Sequence, residues 1–96
     1  MSALHTISGS PSTGLLDSCL MLVGPGDGIL FIQDGVYYGC PPNHLTVISP
    51  DNALFALRED LIARGVLSKL LKQVSPVGYG RFVELTVSYD KVISWS

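Results

Sequence analysis

The stretch Gly28–Tyr38, GILFIQDGVYY, leaves this chain the fewest choices. Ile29, Leu30, Phe31 and Ile32 follow one another without a polar residue and then give way to Gln33-Asp34-Gly35. An unbroken apolar run of strand length reads as a strand buried on both faces, and such strands belong to parallel sheets. The polar residues at its end predict a strand-to-helix turn, with Asp34 as N-cap of a short helix through Val36, Tyr37 and Tyr38. Open parallel sheets place function at such carboxyl ends.

The flanking segments extend the same plan. Ala3–Ile7 reads as a first strand, broken by Ser8-Gly9-Ser10-Pro11-Ser12. Ser10 before Pro11 suits a helix start, delayed toward Ser12 or Thr13 because Gly14 weakens that turn. Leu15, Leu16, Cys19, Leu20 and Val23 then recur at spacings of three and four, which is one apolar helix face. Gly24-Pro25-Gly26-Asp27 ends that helix. Two prolines make Gly39–Asn43 a loop, and His44–Ile48 is expected to be an edge strand or an extended loop segment. Asn52–Leu57 reads as a strand and Arg58–Gly65 as a short helix with acids in its first turn and Gly65 as its C-cap. Leu67, Leu70 and Leu71 suggest a further helical turn. Val74–Val77, interrupted by Pro76, is a short strand, Tyr79–Val87 a last helix, and Lys91–Trp95 a closing strand with its indole docked on the body of the protein. This alternation predicts a single domain spanning 1–96, an α/β sandwich on a mainly parallel sheet.

Charge limits the partners. Charged residues make up 15% of the chain, against about 25% in typical soluble domains, and mean hydropathy is +0.39. So few charges coat a small globule poorly, which predicts an apolar face covered by other subunits. A net charge of −2 with six Lys and Arg offers no footprint for nucleic acid. No apolar run approaches the ~20 residues that cross a bilayer, and no secretory signal pattern is visible, so a cytoplasmic protein is expected.

Few residues point to chemistry. The glycine-rich Gly24–Gly28 stretch follows a helix and precedes a strand, the wrong end for a phosphate cradle, and Asp34 would repel phosphate at the right end. Cys19 and Cys40 form no CxxC or metal-ligand cluster, so no disulfide, metal or cofactor is expected. Cys19 is the candidate sulfur acceptor, since a thiolate can carry sulfane sulfur as a persulfide; its place on an apolar helix face favours a packed, inert thiol instead. Cys40, beside two prolines, is expected to be the more accessible. His5 reads as a hydrogen-bonded histidine at the edge of the core and His44 as a loop residue. Asp34, Glu59 and Asp60 can converge at the carboxyl edge of the sheet for acid–base work, or serve as helix caps. Tyr37, Tyr38, Tyr79 and Phe82 can form an aromatic patch for a partner protein.

Several stretches, taken together and in order, resemble the DsrH/TusB family of small sulfur-relay subunits. They are Leu4-His5-Thr6 with Ser10-Pro11, Leu30–Tyr37 (LFIQDGVY), Phe55–Gly65 (FALREDLIARG), Tyr79 with Phe82–Val87, and Lys91–Trp95 (KVISW). The resemblance implies a three-layer α/β/α sandwich of the DsrEFH type with a five-stranded parallel sheet. It also implies assembly with TusC-like and TusD-like subunits into a heterohexamer. That complex relays persulfide sulfur from a TusA-like to a TusE-like carrier, toward 2-thiouridine at the wobble position of tRNA. In the family the sulfur-carrying cysteine lies on another subunit, so this chain is expected to be structural, with Gly35, Val36, Tyr37 and Tyr38 shaping a partner interface. A DsrH-type role in a DsrEFH sulfur-oxidation complex, or a persulfide carrier using Cys19, are the alternatives.

Overall fold

The computed structural model describes residues 2–96. Its strands are β1 (Ala3–Ile7), β2 (Gly28–Phe31), β3 (Ala53–Leu57), β4 (Val74–Val77) and β5 (Lys91–Trp95), and its α-helices are α1 (Leu15–Leu20), α2 (Arg58–Ala63) and α3 (Tyr79–Ser88). The five strands form one sheet in the order β4-β3-β2-β1-β5, and every pairing is parallel. The apolar run of the sequence therefore supplies the middle strand, and all four residues of β2 are buried. Pro76 lies in β4, an edge strand, where its missing N–H removes no ladder bond from a central strand.

Strand order dictates the layers. Crossovers between parallel strands are right-handed in nearly all proteins. From β1 to β2, β2 to β3 and β3 to β4 the chain steps one way across the sheet, so those connections fall on one face. From β4 to β5 it steps back over the whole sheet, so α3 falls on the other. Packing follows this rule. Leu16 and Cys19 of α1, Val36 and Tyr38 beyond β2, and Leu61 of α2 share a core with Ile7, Ile29, Phe31, Leu54 and Ala56. On the opposite face Leu85 and Phe82 of α3 meet Leu4, Leu30 and Val77. The result is a three-layer α/β/α sandwich.

Local departures have local causes. Gly14 takes a left-handed conformation (φ 70°) and divides the first helical segment into a 3-10 turn, Pro11–Thr13, and α1. After β2 the chain makes a 3-10 segment, Gln33–Gly39, and Asp34 is not its cap: Ile32 holds the cap position, and no side chain bonds there. His44–Ile48 is neither strand nor extended, because Leu45–Val47 closes into a 3-10 turn tied by Ile48 N–H to the Leu45 carbonyl. Gly35 is required by close approach: a Cβ there would lie 2.0 Å from the Ile7 carbonyl oxygen, a backbone atom that cannot yield.

Candidate functional site

A crevice opens at the carboxyl edge of a parallel sheet where neighbouring strands send their connections to opposite faces. In this sheet β3 leads to α2 on one face and β4 to α3 on the other. A cavity of about 400 Å³ lies there, lined by apolar Ile32, Leu57 and Phe82 and by Gln33, Glu59, Asp60 and Tyr79. Tyr79 and Phe82 stack at 5.7 Å between ring centroids.

The carboxylates around this crevice have separate duties. Asp60 accepts the Gln33 backbone N–H at 2.6 Å. Gln33 has φ 51°, a left-handed conformation that costs a residue with a Cβ about 1–2 kcal/mol, so the bond to Asp60 holds a strained backbone in place. Arg64 gathers the acids on its side, with Nε donating to Asp34 at 2.9 Å and a terminal nitrogen 3.7 Å from Asp60. Glu59 reaches across to α3, where its Oε2 accepts the Tyr79 N–H at 3.4 Å. Asp34 and Asp60 thus converge through Arg64, whereas Glu59 serves the helix start. Among the described residues that line the crevice there is no Cys, Ser, Thr, Lys or His.

Both thiols lie elsewhere and are shut in. Cys19 is fully buried, and its pKa is pushed up to about 11, first by burial and then by the negative charge of Asp27. The expectation of an accessible Cys40 is not met. Cys40 is buried, with its sulfur 3.7 Å from the Val36 carbonyl and 3.9 Å from that of Val66. A backbone bond from Leu71 N–H to the Gly39 carbonyl, 2.8 Å long, brings the segment after α2 against this loop. Burial raises the Cys40 thiol as well, against a smaller opposing pull from Lys69.

The sequence relatives fit this architecture. The family model described as "DsrH like protein" matches residues 9–92. The chain belongs to the DsrH family. It is 37% identical over 94 residues to a protein named TusB from Serratia proteamaculans, covering 96% of this chain and 99% of that protein. It is 38% identical over 95 residues to one of the same name from Escherichia coli, with the same coverage. Among solved structures, the ychN protein of E. coli superposes with a TM-score of 0.73 at 14% identity, over 98% of this chain and 99% of that one, which establishes likeness of fold.

Within this DsrH-family chain, the Gly35–Tyr38 stretch is largely interior. Gly35, Val36 and Tyr38 are buried, and of the four residues Tyr37 alone faces out, 37% exposed. The four aromatic residues do not form one patch. Tyr38 stacks on Phe31 at 5.6 Å and its hydroxyl accepts the Leu16 N–H at 3.2 Å, while Tyr79 and Phe82 belong to α3 on the other face.

A polar network that the sequence pattern did not single out ties the two ends of the chain together. His5 is fully buried in β1. The Trp95 indole N–H donates to its Nδ1 at 3.2 Å, and its Nε2 lies 3.0 Å from Asp27 Oδ2. An indole only donates, so Nδ1 must accept and the proton sits on Nε2, directed at Asp27. Asp27 also accepts N–H bonds from Ala3 and Gly24. Burial alone would raise the Asp27 pKa, but the hydrogen bonds from Gly24, His5 and Ala3 outweigh it and hold the carboxyl below its ordinary value. With both nitrogens engaged, His5 is not available as a base for Cys19. Among the described residues no group of His, Cys, Asp and Glu is placed to hold a metal ion, and no helix is long and apolar enough to cross a membrane.

Proposed function

We propose that this chain is a TusB-type subunit of a sulfurtransferase complex that relays persulfide sulfur toward wobble 2-thiouridine in tRNA. In this reading it assembles with TusC-like and TusD-like subunits into a cytoplasmic heterohexamer, which exchanges sulfur with TusA-like and TusE-like carriers. Its own part is structural. The observation that carries the proposal is the near full-length similarity to proteins named TusB, in a chain whose two thiols are both buried. A thiol raised to about 11 is almost wholly protonated at neutral pH, which slows its attack on a persulfide and supports the structural reading.

The surface supports assembly. Met21, Leu22, Val83 and Val87 are 55% to 85% exposed on a chain with few charges to offset them. The test is co-expression with TusC-like and TusD-like subunits. A stable complex is expected, and one carrying Cys19→Ala should accept sulfur from a TusA-like donor as fast as wild type. Failure of the wild-type chain to join any complex removes the proposal. Loss of transfer with Cys19→Ala in an intact complex would make this subunit a carrier.

A further inference from the structure

The crevice between the carboxyl ends of β3 and β4 is the position where parallel α/β sheets bind ligands, beside the N-terminus of a helix that attracts anions. Here that seat is taken by the chain itself. The Glu59 carboxylate accepts the Tyr79 N–H at the start of α3, and Asp60 lines the same cavity. Among the described residues no Lys or Arg lines it. Arg64 is turned to Asp34 and Asp60, Arg81 to Glu84, and Arg58 is exposed outside the lining. Glu59 has no cationic partner among the described residues, although its carboxylate stands beside a stacked tyrosine and phenylalanine.

Phosphate and other anions are therefore excluded. What fits is the opposite chemistry, an apolar stem ending in a positive charge. We propose that this crevice is a socket for an arginine or lysine side chain of a partner subunit; the proposal rests on the assembly reading above. The stem lies along Ile32, Leu57 and Phe82, and the cationic head meets Glu59 and the open face of one ring of the Tyr79–Phe82 stack, which attracts cations through its quadrupole. Asp60 holds the Gln33 backbone on the same crevice in its strained conformation before the partner arrives, so the socket is preformed. A volume of about 400 Å³ admits the side chain together with part of the backbone that carries it.

The test uses the chain alone and the complex with its TusC-like and TusD-like subunits. Carbodiimide coupling of glycine ethyl ester, read by mass spectrometry, reports whether Glu59 is reachable. Labelling of Glu59 should fall several-fold on assembly while that of exposed Asp51 stays constant. Glu59→Gln keeps an acceptor for the Tyr79 N–H and loses the charge, so it should fold normally and weaken assembly about tenfold; Glu59→Arg should weaken it about a hundredfold. High salt should narrow both differences. If the wild-type complex forms but Glu59 labels as fast as in the free chain, or Glu59→Arg assembles within twofold of wild type, the socket is wrong and the assembly reading stands. If no complex forms with the wild-type chain, both fall together.

Discussion

On one face of the sheet Ile29, Phe31, Leu54 and Ala56 lie beneath α1, the Gln33–Gly39 segment and α2; on the other, Leu4, Leu30 and Val77 lie beneath α3 and Tyr89 just beyond it. Three connections share the first face because three successive strand steps run in one direction, and the second face has the one connection that runs back. A single helix, about 10 Å across, covers about two strands at about 4.8 Å spacing, so α3 cannot cover all five. The difference teaches where stability and where association reside in this fold. Buried volume is concentrated on the first face, while α3 turns Tyr79, Val83 and Val87 outward at spacings of four.

The strongest way to break that comparison is to cut into each core at its centre. Phe31 is fully buried on the first face, stacked on Tyr38. Phe31→Ala should cost about 4 kcal/mol in urea unfolding, because the surrounding helices and sheet cannot collapse into the space. Leu85 is the buried centre of the α3 core. Leu85→Ala should cost less, about 2–3 kcal/mol, because a single helix can shift toward the sheet. Equal losses, or a larger one at Leu85, would mean that the two faces are equally supported after all.

A third prediction concerns the edge of the first face, where β5 closes on β1. Asp27 has its pKa lowered in the folded chain, so the stability it contributes is present above its ordinary pKa of 3.8 and is lost as pH falls through the folded value. Replacing Asp27 by Asn should cost about 2 kcal/mol at pH 7, since its hydrogen bonds to a charged acceptor are partly lost. The variant should also be less sensitive to acid than wild type below about pH 4. Denaturant melts at pH 7, 4 and 3 check this; parallel pH dependence in the two proteins would show that the His5–Asp27–Trp95 network is not what fastens the closing strand.

The sequence exposed the first face better than the second. The apolar run Ile29–Ile32 and the spacing of Leu15, Leu16, Cys19, Leu20 and Val23 are local signals, and local signals survive without coordinates. The buried strand stands where periodicity put it, and so does the helix face from Leu15 to Leu20; the helix ends at Leu20, ahead of the Gly24-Pro25-Gly26 stop, and Val23 packs on the same core from beyond it. What stayed hidden depends on register. Asp27 reads as a turn residue after Gly24-Pro25-Gly26, and it becomes the centre of a buried network because β1 pairs with β2 so that Leu4 lies opposite Gly28. Nothing in either segment states that pairing. Cys40 deceived for the same reason: two following prolines mark a loop, but the bond from Leu71 to Gly39 that closes over it comes from a segment about thirty residues on. The crevice was half legible. Its acids were visible as a group, but their division between Arg64 and the start of α3 follows from β3 and β4 parting to opposite faces.

The smallest expected effect sharpens the comparison most, because it sets two valines side by side. Val36 is fully buried on the first face and Val87 is 79% exposed on α3. Serine in place of Val36 would bury a hydroxyl among apolar groups, at about 1–3 kcal/mol if no partner reaches it, besides the lost packing. Serine in place of Val87 loses almost no buried area, and valine and serine have similar helix propensities, so the change should stay within about 0.5 kcal/mol. Urea unfolding of the isolated chain at low concentration measures both. A loss above about 1 kcal/mol at Val87 would mean that the outer side of α3 is already covered when the chain is alone. A neutral result leaves that surface as apolar area whose burial contributes nothing to the fold, and hence free to contribute to association.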